Sequence, residues 1–76
     1  MQAVETSETQ IPVGLLLKIA RLKAALRQYE LAARVGISAT MLSEIETGRR
    51  KVAQPLLDQI WEAIRAEGKE HANDQG

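Results

Sequence analysis

The stretch QYELAARVGISATMLSEIETG, Gln28 to Gly48, leaves this chain little freedom in what it can fold into. Leu31, Ala32 and Val35 recur at helical spacing and make one apolar stripe, and Leu42 and Ile45, with Met41 beside them, make a second. Between the stripes stands Gly36, which can take the positive φ that ends a helix. Ile37 follows, and then Ser38, whose hydroxyl is suited to cap the amides of the next helix. The spacing therefore predicts one helix over 28–35 and another over 39–46, joined by a three-residue turn, with Gly48 closing the second.

Seventy-six residues of which 45% are hydrophobic allow one small domain with one core. Phe is absent and Tyr29 and Trp61 are the only aromatics, so Leu, Ile, Val and Ala must fill that core, as in a compact helical bundle. The absence of Cys excludes a disulfide or a thiolate metal site. The N-terminus lacks basic residues ahead of an apolar run, and the longest apolar run, Val13 to Leu17, falls far short of a membrane span. The chain is thus expected to be soluble and cytoplasmic, with no membrane partner.

A net charge of zero hides a partition along the chain. Residues 18–51 hold eight cations against Glu30, Glu44 and Glu46, for +5, whereas residues 1–17 sum to −2 and residues 52–76 to −3. A basic centre between acidic ends is the footprint of a protein that turns one face toward phosphates.

Around the central pair of helices the order is simple. Residues 1–10 are polar and predict a disordered tail; residues 11–67 form the domain; residues 68–76 form a polar C-terminal tail in which His71 is inert. A first helix is predicted from Pro12 to Ala24 or Ala25, burying Leu15, Ile19, Leu22 and Leu26 at i, i+4, i+7 and i+11. Leu16 and Leu17 fall outside that stripe, and widen the apolar arc into either a deeply buried helix start or an oligomer surface. A last helix opens at Pro55, places Leu56, Leu57, Ile60, Trp61 and Ile64 on one face, and is expected to stop near Gly68. Trp61 suits a core or interface plug better than a base-stacking platform.

Two helices and a three-residue turn make a helix-turn-helix. The run Gln28, Leu31-Ala32, Gly36, Ser38, Leu42-Ser43, Ile45-Glu46 and Gly48 resembles DNA-binding domains of the lambda-repressor and Cro type (the XRE family), over about Lys18 to Ile64. The resemblance implies an all-α fold, a small lambda-repressor-like bundle of four helices, or five if a further one completes it. Relatives usually carry that fifth helix, and this chain shows no obvious one.

The resemblance also implies residue roles. Arg21 and Glu46 would pair inside the fold. Gln28, Arg27, Arg49, Arg50 and Lys51 would meet DNA phosphates, with Arg27 standing where relatives often place a Ser or Thr cap. Ala39, Thr40, Ser43 and Glu44 would face base edges in the major groove: small methyls toward thymine, hydroxyls toward either partner, and a carboxylate toward cytosine N4. None gives the bidentate guanine contact of an arginine, so direct readout is expected to be modest.

The function so implied is a sequence-specific regulator of transcription that binds double-stranded DNA as a homodimer on an inverted repeat. Leu57 and Trp61 would provide the main dimer contact, with the leucines of the first helix secondary. The alternative is an antitoxin or interaction adaptor that keeps this fold and binds a toxin or another regulator. An enzyme finds no support in one tail histidine, no cysteine and no clustered carboxylates. No catalytic residue, metal or cofactor is expected.

Overall fold

The computed structural model describes residues 11–75, with side chains to residue 67. Residues 1–10, and the side chain of His71, lie outside the described residues. Four helices follow in order: α1 (Val13–Lys23), α2 (Gln28–Val35), α3 (Ala39–Glu46) and α4 (Gln54–Gln75). Among the described residues there is no strand, and the fold is an all-α helix-turn-helix domain.

Each helix sends one side chain into the centre with essentially no exposure: Leu17, Leu31, Leu42 and Ile60. Burying a residue of this size contributes roughly 1.5–3 kcal/mol. Ala24, Leu26, Ala32, Ile45 and Ile64 complete the buried cluster, and Val35, Ile37, Met41, Leu56, Leu57 and Trp61 pack against it. Trp61 thus packs against the edge of the core and stays half-exposed.

The first three helices end in the same way. After α1 the amide of Leu26 donates to the Arg21 carbonyl (3.1 Å) and that of Ala25 to the Leu22 carbonyl (3.0 Å). After α2, Ile37 donates to Ala32 and Gly36 to Ala33; after α3, Arg49 donates to Glu44 and Gly48 to Ile45. Each pair is a Schellman motif, which needs a left-handed residue at its turn. Gly36 (φ 78°) and Gly48 (φ 82°) supply two of these residues, and Ala25 (φ 60°) supplies the third despite its Cβ.

The buried face of α1 differs from the sequence expectation. Gly14, Leu17, Arg21 and Ala24 turn inward, while Leu15, Ile19 and Leu22 point to solvent; Leu26 is buried, but in the turn beyond the helix. The reason is close approach. A Cβ at Gly14 would collide with the carbonyl oxygen of Ile45 and come within 2.7 Å of that of Glu46, so only glycine lets α1 lie against the end of α3. Once Gly14 and Arg21 face α3, the 3.6-residue period forces Leu15 and Ile19 outward.

The last helix also departs from expectation. It runs through Gly68 to Gln75 instead of stopping near Gly68. A glycine inside a helix costs about 1 kcal/mol, too little to end one whose neighbours Lys69, Glu70 and Ala72 favour it.

Candidate nucleic-acid interface

The site is built around one buried carboxylate. Glu46, at the end of α3, accepts from Arg21 of α1 through two parallel bonds, Nε to Oε2 at 2.8 Å and Nη2 to Oε1 at 3.2 Å. The side chains are 8% and 2% exposed. The remaining Arg21 nitrogen, Nη1, donates to the carbonyl of Leu26 (2.9 Å), and Gln28 Nε2 of α2 donates to Glu46 Oε1 (3.1 Å). One carboxylate thus fastens α1, the turn after it and the start of α2 to α3. Because every strong donor has an acceptor, the desolvation of both charges is offset within the cluster.

The N-terminus of α2 is held by Glu30, whose Oε1 accepts from the backbone amide of Arg27 at 2.7 Å. This is the reciprocal half of a capping box; the arginine at the cap position has no acceptor to offer the first amides of the helix. An acid three residues after the cap was the available signal for it. α3 begins at Ser38, whose Oγ accepts from the Met41 amide (3.0 Å). With both ends fixed, α3 holds Leu42, Ile45 and Glu46 inward and presents small polar residues outward.

Six of the sequence-selected residues meet in one shallow concavity of about 370 Å³: Gln28, Ala39, Thr40, Ser43, Glu44 and Arg49. Thr40 and Arg49 are exposed and Ala39, Ser43 and Glu44 are half-buried. Glu44 is already engaged. Its carboxylate accepts from Arg50 Nε at 2.8 Å, and its carbonyl accepts from the amides of Arg49 and Arg50 and from the Thr47 hydroxyl. This residue therefore folds the Arg49-Arg50-Lys51 segment back onto the end of α3, and any base contact by its carboxylate must compete with Arg50.

The cations do not act as one cluster. Arg49 lines the concavity, whereas Arg50 and Lys51 border a separate groove floored by Pro12, Val13, Gly14, Ile45 and Val52. Arg27 is exposed at the start of α2. Arg34, which also belongs to the basic centre, is turned away by an ion pair with Glu67 of α4 (Nη1 to Oε1 2.9 Å). Among the described residues no group of His, Cys, Asp and Glu could hold a metal ion, and no helix is long and apolar enough to cross a membrane.

Two short helices joined by a capped turn, with the second offering a polar face to solvent, define a helix-turn-helix, the DNA-binding class of small α domain. A family model described as a helix-turn-helix domain matches residues 12–73, and the chain belongs to that family. Comparison with curated proteins and with solved structures gives no match.

Proposed function

We propose that the chain is a transcriptional regulator that binds double-stranded DNA as a homodimer on an inverted repeat. One observation carries the reading: the outward face of α3 and the residues around it form a single concave surface, in which Gln28 at the start of α2 and Arg49 flank Ala39, Thr40 and Ser43. A helix with small polar residues at its N-terminal end fits the major groove, and flanking cations and amides fit the phosphates on either side. An α3 of 8 residues covers one half-site, so a second copy is needed to read a full operator.

In this reading Ala39 and the Thr40 methyl touch thymine methyls, Thr40 and Ser43 hydroxyls bond base edges, and Arg27, Arg49, Arg50 and Lys51 meet phosphates. Gln28 reaches a phosphate with its carbonyl side turned away or after releasing Glu46. Phosphate contacts carry most of the affinity, and DNA shape adds to a modest direct readout.

Selection of bound fragments from random DNA tests the reading, because it returns sequence preference and half-site spacing together. Two half-sites about one helical turn apart are expected. With three or four cations engaged per copy, log affinity should fall against log salt with a slope of roughly −5 to −7. No enrichment at low salt, or a slope near zero, overturns it. The adaptor or antitoxin reading draws on a different feature, the leucines on the outside of α1.

A further inference from the structure

Successive residues of a helix are turned by about 100°, so with Gly14, Leu17, Arg21 and Ala24 inward, Ile19 points directly away from the core. Leu15 and Leu22 lie beside it on one side and Leu16 on the other. All four are exposed, Leu22 at 57%, Leu15 at 42%, and Ile19 and Leu16 at 39%. Ile11 and Val13 are exposed as well, but Val13 lies about 120° round the helix from Ile19, in the groove with Gly14, Ile45 and Val52. A helix that is apolar on both faces is the pattern of one covered on both. The exposed patch is on the order of a few hundred Å², the size at which a bare apolar surface on a small protein is usually a contact site.

We propose that a second copy of this chain covers the face, with the two α1 helices meeting across a two-fold axis that passes close to Ile19. The choice of a second copy rests in part on the DNA-binding reading, which needs two α3 helices. It also rests on the patch itself. Leu15, Ile19 and Leu22 stand at i, i+4 and i+7, the seam that packs against an identical seam, and an isologous contact requires one self-complementary surface. Two such faces together remove roughly 600–800 Å² from water, the size of a weak, reversible contact, so the dimer is expected to depend on concentration. Leu57 and Trp61, the expected contact, are half-buried against the core and so offer less exposed apolar surface than the outer face of α1.

The charges on α1 distinguish this occupant from others. The exposed charged residues of the helix are Lys18 and Lys23, with no carboxylate among its residues. Two copies therefore bring like charges together at the rim, which weakens the contact at low salt and lets added salt strengthen it. A partner helix bordered by carboxylates would show the opposite dependence.

The test uses the full chain without DNA, followed by sedimentation over a range of protein and salt concentrations. A concentration-dependent dimer that tightens as salt is raised is expected. Ile19→Glu and Leu22→Lys should each weaken it at least tenfold while keeping helicity, and while keeping the melting temperature at concentrations where the parent protein is monomeric. The chain has no cysteine, so Ile19→Cys should oxidise cleanly to a disulfide-linked dimer, and Arg65→Cys on α4 should not. A protein that stays monomeric at every concentration overturns the proposal. So does an Ile19→Glu variant that keeps the dimer, which would place the contact elsewhere. DNA binding is measured separately. A dimer that forms through Ile19 yet enriches no DNA sinks the regulator reading alone, and sequence-specific binding by a protein whose dimer survives both substitutions sinks the α1 contact alone.

Discussion

α1 and α3 press against each other at Gly14 and the Ile45–Glu46 peptide, yet they divide their residues in opposite ways. α3 keeps Leu42 and Ile45 for the core and offers Ala39, Thr40 and Ser43 outward. α1 gives the core a glycine, one leucine and an arginine, and leaves Leu15, Leu16, Ile19 and Leu22 outside. The ordinary amphipathic rule describes α3. In α1 two short-range demands outrank it, close backbone approach at Gly14 and a charged partner for Glu46. The helix proposed to read DNA is thereby fixed in position by a helix whose own apolar surface remains exposed.

The sharpest way to break this contrast is to remove the carboxylate that both helices share. Glu46→Ala leaves Arg21 buried and without its bidentate partner, which should cost about 3–5 kcal/mol. Urea unfolding measures the loss. A change below about 1 kcal/mol would mean the pair does not govern how α1 sits. At the contact itself, Gly14→Ala sets a gain of about 1 kcal/mol in helix propensity against a collision with two backbone carbonyls that no side-chain rotation relieves. The collision should win, with a net loss of about 1–3 kcal/mol. An unchanged or raised melting temperature would show that α1 can lift off α3 at no cost.

The contrast also explains what could be read from the sequence. In the Gln28 to Gly48 segment, periodicity, the Ser38 cap and the glycines at 36 and 48 all point to one answer, and the helix bounds there match the structure. α1 contains two competing stripes. Leu15, Ile19 and Leu22 are the stronger by hydrophobicity, while the one that packs contains Gly14 and Arg21, whose fitness for the interior depends on Ile45 and Glu46 far along the chain. Hydrophobicity alone cannot rank those stripes. The site shows the same limit. Ala39, Thr40 and Ser43 could be selected from their helical positions, but the pairing of Glu44 with Arg50 depends on the chain after Gly48 folding back.

A smaller effect separates support from recognition. Gln28→Ala removes one of three bonds to Glu46 while Arg21 keeps both of its own, so stability should fall by only about 1 kcal/mol. DNA affinity should drop further, because the residue also borders the α3 concavity. Paired urea titrations and DNA-binding curves decide the point: a loss confined to stability would make Gln28 a part of the scaffold only.

The smallest expected effect lies at the helix ends, where α1 and α3 use one motif with different residues. Ala25 holds φ 60° and Gly48 holds φ 82°. A left-handed conformation costs an alanine about 1–2 kcal/mol relative to glycine, while glycine gives back about 0.4–1 kcal/mol through the freedom of its unfolded chain. The difference favours glycine at both positions. Ala25 is exposed and a Cβ at Gly48 would meet nothing within 4 Å, so packing changes little in either exchange. Ala25→Gly should therefore stabilise the fold by about 0.5–1 kcal/mol, and Gly48→Ala should destabilise it by a similar amount. For a domain this small those values correspond to melting shifts of roughly 2–8 °C in opposite directions. Two shifts of the same sign would show that the two turns are not equivalent. The strain at Ala25 would then be offset by the bonds that Arg21 and Leu26 make around it, and the end of α1 would belong to the ion-pair cluster more than to the helix.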